Sequence, residues 1–130
     1  MANPNIVNVT SIYGGNSSWN LSNTVTTTLL TVGSDVIVKV NSIMVANVDG
    51  TNPATFDLFI SGVGTTVTGV TGTSLATTIY LAKTVNVPPD DILVVIDKPI
   101  YLMEGDVLQG GANNASDLDL FMSYDVINDA

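Results

Sequence analysis

Residues 87–108 read VPPDDILVVIDKPIYLMEGDVL, and no other stretch constrains the fold so tightly. A Pro-Pro-Asp-Asp break leads into Ile92-Leu93-Val94-Val95-Ile96. Asp97-Lys98-Pro99 interrupts that run, Ile100-Tyr101-Leu102 resumes it, and Glu104-Gly105-Asp106 breaks it again. Each apolar run is the length of a strand, and each interruption is built from residues that turn a backbone. The rhythm is that of a compact antiparallel β domain.

The same alternation extends along the chain. From Val36 to Val48 the even positions are Val36, Val38, Val40, Ser42, Met44, Ala46 and Val48, six of seven apolar. That period of two places one face in a core. The odd side, with Ile37, Ile43 and Val45 among Lys39, Asn41 and Asn47, is expected to lie half-exposed or against a neighbour. Further strands are expected over 6–13, ending at Gly14-Gly15-Asn16, and over 24–32, 55–61, 79–87, 92–96, 100–102, 107–109 and 118–127. Gly110-Gly111-Ala112-Asn113-Asn114 reads as a loop. The Gly- and Thr-rich segment 62–78 holds at most a weak strand over 65–70, because glycine weakens a strand interior. Seven to nine short strands with regular turn signals and no helical stripe predict a single antiparallel β-sandwich, jelly-roll-like, spanning residues 1–130.

Composition decides more about what the chain does not do. Only 12% of residues are charged, and sixteen Thr and thirteen Asn take their place. These suit strand surfaces and turns respectively. Twelve acids oppose Lys39, Lys83 and Lys98, giving a net charge of −9. Three scattered lysines supply no cationic footprint for nucleic-acid phosphates or an anionic bilayer, so neither partner is expected. No run approaches the ~18 apolar residues of a membrane helix, and Met-Ala-Asn-Pro-Asn has no secretory pattern. The expected product is soluble and accumulates in the cytoplasm of the cell that makes it.

Histidine and cysteine are both absent. Triads, thiolate nucleophiles and transition-metal ligation by those residues are therefore unavailable, and no enzyme, catalytic residue or cofactor is expected. A pair of carboxylates could still serve a glycosidase, but aromatic platforms are few and most acids sit in turns. Asp49-Gly50-Thr51-Asn52 resembles only the start of a calcium loop, and Asp90-Asp91 and Asp117-x-Asp119 each offer two oxygens. Asp bonding its own local backbone at turns explains all three, so no metal site is expected. The glycines around Gly62 and Gly64 precede no helix and make no phosphate-binding loop. Trp19, Phe59, Phe121 and the tyrosines could stack sugars, but packing is the reading preferred for them.

Several segments resemble small virion structural proteins of tailed bacteriophages, especially those of cyanobacteria. They are 87–108, the opening ANPNIVNVTSIYG, NSIMVANVDG over 41–50, and the closing ASDL over 115–118 with Ser123-Tyr124 after it. Together they cover roughly half the chain and contain no catalytic signature. The resemblance implies a capsid decoration or cement protein, made in the host cytoplasm and carried on the capsid surface. Its implied partners are the major capsid protein and, in a homotrimer, its own copies. The alternative is a tail or fibre module that binds host surface glycans. The expected interface comprises an N-terminal arm over 1–5, with Asn3, Pro4 and Asn5, together with Ile37, Ile43 and Val45. The arm carries little burial signal, and the three strand residues need cover in a chain with few charges.

Overall fold

A computed structural model describes residues 8–62, 64, 69 and 77–129. Among them the chain forms nine strands: β1 (Ser11–Asn20), β2 (Thr28–Thr31), β3 (Val36–Asn47), β4 (Ala54–Ser61), β5 (Thr78–Val87), β6 (Ile92–Ile96), β7 (Ile100–Leu102), β8 (Val107–Ala112) and β9 (Leu118–Asn128). The expected arm, with Asn3, Pro4 and Asn5, lies outside the described residues, as does the weak strand over 65–70 apart from Gly69.

One sheet runs β1-β9-β3-β6, with β7 also paired to β3; the other runs β2-β8-β4-β5. Every pairing is antiparallel. Asp97-Lys98-Pro99 divides what is otherwise one strand into β6 and β7, because proline cannot donate to a ladder. With those two counted together, β1 pairs β9, β2 pairs β8, β3 pairs β6 and β7, and β4 pairs β5. The chain is thus a long antiparallel ribbon doubled at the β4–β5 connection and rolled so that its ends alternate between two sheets. That nested order is a jelly roll.

The two inner faces close over Phe56 and Leu58 of β4, Leu108 of β8, Leu120 and Met122 of β9, and Ile43 of β3, each essentially inaccessible to water. Phe56, Leu58 and Ile60 alternate inward along β4 as their spacing requires, and Leu118, Leu120 and Met122 do so along β9. Burial of six such side chains contributes on the order of 10 kcal/mol before chain entropy is counted.

Two local features differ from the sequence reading. The strand β1 passes straight through Gly14-Gly15 rather than ending there. A Cβ at Gly15 would stand 3.4 Å from the Tyr124 ring, so the glycine leaves room for that side chain. Likewise β8 continues through Gly110, Gly111 and Ala112. A Cβ on Gly110 would collide with the Asp57 carbonyl, and one on Gly111 would lie 2.8 Å from the Thr24 carbonyl. The segment after β1 crosses over β8 at this point, with Gly110 N–H donating to Thr27 (3.1 Å) and Ala112 N–H to Ser22 (2.9 Å). These glycines permit close backbone approach rather than a turn.

Candidate interaction surface

The strand β3 determines which of its residues can meet a partner. Val40 lies opposite Tyr124 and Ser42 opposite Ser123, so Asn41 is an extra residue with no counterpart on β9. A bulge of this kind exchanges the two faces of the strand beyond it. Before it, the even residues Val38 and Val40 point into the core; after it, the odd residues Ile43 and Val45 do.

This corrects the expectation for the strand residues. Ile43 and Val45 have 0% exposure and belong to the core of their own chain. Ile37 is also buried, opposite Ile127, but it stands outside the main core cluster. The three do not share one face, and none is available to a neighbouring subunit. The homotrimer expected from them loses its motive.

Met44 and Ala46, expected inside, instead reach the outer face. Cross-strand register sets them in two rows that cross the sheet. One row is Ser18, Phe121, Met44 and Val94; the other is Asn20, Asp119, Ala46 and Ile92. Phe121 is 41% exposed, and Val94 and Ile92 are each 53% exposed, so the rows form an apolar strip open to water. Beside β1 the strip deepens into an open groove of about 380 Å³, lined by Trp19, Phe121, Met44, Ala46, Ile92 and Asp119 among others. Asn20 Nδ2 donates to Asp119 Oδ1 at 2.6 Å, fixing a polar rim.

The other sheet carries a different outer face. Phe59 and Tyr80 stack at 5.2 Å between ring centroids, tilted by 49°. Lys83 Nζ lies 4.4 Å above the Tyr80 ring, a cation–π contact that covers part of this aromatic surface.

The acidic turns are occupied by their own backbone. Asp49 Oδ1 accepts from the N–H groups of Thr51 (2.8 Å) and Asn52 (3.2 Å), and those bonds hold its pKa below the ordinary 3.8. Asp91 Oδ1 accepts from the Ile92 N–H at 2.8 Å. Among the described residues no group of three or more Asp or Glu side chains converges as a metal site would require.

Asp106 is the exception among the acids. It is 4% exposed, and its Oδ2 accepts from the Met103 N–H at 2.8 Å. Its Oδ1 is buried and has no hydrogen-bond partner among the described residues. Burial pushes the pKa up, and the Met103 bond offsets this only in part.

The apolar strip was not legible in the sequence because the bulge at Asn41 has no residue signature of its own. Phe121 was the one visible signal, an aromatic among Asp119, Ser123 and Asp125 on the outward side of β9.

No model of a known protein family matches this chain. No curated protein matches it either. A solved structure described as "Bacillus endospore appendages form a novel family of disulfide-linked pili" is similar in fold, with a TM-score of 0.46 and 14% identity over 92% of this chain and 88% of that one. At this distance no property passes from that protein to this one.

Proposed function

We propose that the chain is a non-enzymatic structural protein of a tailed-phage virion, a decoration protein that lies on the capsid with its β1-β9-β3-β6 sheet face toward the shell. The observation that carries this reading is the apolar strip of Phe121, Met44, Val94 and Ile92, left open on a sheet whose other face packs the core. Exposed apolar surface of this kind favours a protein partner. The sequence segments that resemble virion proteins support the choice of partner, the major capsid protein. Many copies bound to the assembled shell, and not to its free subunits, stabilise it by mass action.

The test is attachment to heads that lack the protein. Purified wild-type chain is expected to saturate such particles and to raise the temperature at which they release DNA. Phe121→Ser with Val94→Ser should abolish both effects while the free domain stays folded. Undiminished binding by that variant would remove the basis of the proposal. The N-terminal arm with Asn3, Pro4 and Asn5 is a separate proposal, tested by deleting residues 1–5 and measuring particle occupancy.

One observation favours a second reading, the glycan-binding tail module. Phe121 borders the same groove as the Asn20–Asp119 pair, so an aromatic ring and hydrogen-bonding groups lie together. Sugar rings combine an apolar face with hydroxyls and match both. Retention on immobilised host-envelope glycan, lost in Asn20→Ala, would support this reading over the first.

A further inference from the structure

Two open sheets have four edges, and in this fold they are built very differently. A sheet edge offers unpaired N–H and C=O groups to any other strand, and monomeric proteins blunt such edges. Here β2 has only four residues and its register slips between Thr28 and Leu30. The register of β5 shifts twice against β4, and Thr84, at a φ of 51°, turns its N–H toward the Asp57 carboxylate. On the far side of the other sheet, Asp97-Lys98-Pro99 separates β6 from β7, and the register of β6 breaks between Ile43 and Met44.

The remaining edge is β1, and it has none of these devices. Ten residues pair one for one with β9, from Ser11 opposite Asn128 to Asn20 opposite Asp119, without a shift. The strand Ser-Ile-Tyr-Gly-Gly-Asn-Ser-Ser-Trp-Asn contains no charge and no proline. Among the described residues, the groups that no neighbouring strand takes up can be identified. Leu21 N–H donates to the Leu118 carbonyl at 2.8 Å, which makes 21 and 118 a hydrogen-bonded pair. Alternation along an antiparallel ladder then turns the odd residues of β1 to β9. Ile12, Gly14, Asn16, Ser18 and Asn20 direct their N–H and C=O groups away from the sheet.

We infer that β1 pairs antiparallel with β1 of a second copy about a twofold axis, so that the two β1-β9-β3-β6 sheets become continuous. The other three edges of the chain are blunted, so β1 is the strand of a second copy best able to complete this ladder. A twofold axis normal to the sheet sets residues of the same face opposite one another. With the axis at Asn16, Ile12 meets Asn20 and Gly14 meets Ser18 at hydrogen-bonding positions. Tyr13 then stands opposite Trp19, twice, at the closer non-hydrogen-bonded positions. Tyr13 is 62% exposed and Trp19 36% exposed in the single chain, and cross-strand aromatic pairs stabilise a sheet. Each copy carries a net charge of −9, yet the seam itself is neutral. The nearest carboxylates, Asp119 and Asp125, stand one strand back on β9, so added salt should strengthen the pairing. The inference is independent of capsid attachment, because it uses the sheet edge and not the apolar strip.

Sedimentation equilibrium of the full chain, from about 10 to about 500 µM, tests it together with amide hydrogen exchange. The expected wild-type species at the upper end is 27.0 kDa, twice the 13.5 kDa of one chain, with the Gly14, Asn16 and Ser18 amides protected. Asn16→Pro removes one outward N–H and no bond to β9, so it should sediment as a monomer and lose protection at Gly14 and Ser18. Asn16→Lys, which sets two cations side by side at the axis, should do the same if the proline variant folds poorly. A wild-type monomer or trimer throughout, unprotected outward amides, or a dimer that persists in a folded Asn16 variant would each overturn the inference.

Discussion

Asn47 Nδ2 donates to the Val87 carbonyl at 3.0 Å, a buried hydrogen bond that joins the end of β3 in one sheet to the end of β5 in the other. The same amide group donates to the Asn52 carbonyl (3.0 Å), and Asn47 Oδ1 accepts from the Asp49 N–H (2.9 Å). One side chain therefore satisfies three backbone groups where the sandwich has no ladder to do so. Asn47→Ala would leave the Val87 carbonyl buried without its side-chain donor. A loss of about 2–4 kcal/mol in urea unfolding is expected, and Asn47→Asp, which lacks the donor, should be no better.

The buried Asp106 makes stability depend on pH in the sense opposite to most acids. Its folded pKa is raised above the ordinary 3.8, so the folded state holds this proton more tightly than the unfolded state does. Its contribution to stability is greatest below 3.8 and is lost as pH rises through the raised folded value. Asp106→Asn removes that term. The melting temperature of the variant relative to wild type should therefore climb as pH rises from 3.8 through the raised folded value. A difference that stays flat or falls over that interval would contradict the placement of Oδ1 in a site without a donor.

Substitutions on the two sides of β3 and β9 should separate core from surface. Ile43→Ala is expected to cost about 2–5 kcal/mol, because the side chain is fully enclosed. Phe121→Ser, on the outer face, should change stability by about 1 kcal/mol or less. Thermal unfolding of both proteins provides the comparison.

Much of the architecture follows from local pattern. The runs at 92–96 and 100–102 are β6 and β7, and Leu118, Leu120 and Met122 point inward as their spacing in β9 dictates. The errors have physical causes that composition does not reveal. Gly14-Gly15 and Gly110-Gly111 look like turns, yet they sit in strands because Tyr124 and the Asp57 and Thr24 carbonyls come close to them. Alternation over 36–48 reads as one continuous face, but Asn41 is inserted against β9, so the outer and inner residues exchange midway. Ile43 and Val45 were expected at an interface for that reason, and Met44 and Ala46 in the core. The jelly-roll order rests on pairings between the first and last strands, which no local window contains.

The capsid-decoration reading is tested most directly by electron cryomicroscopy of intact particles that carry this chain. The expected result is a two-sheet sandwich repeated over the head lattice, with Phe121, Met44, Val94 and Ile92 buried against the major capsid protein. Density for the sandwich only at the tail, or heads bare of it in particles that contain the protein, would contradict that reading.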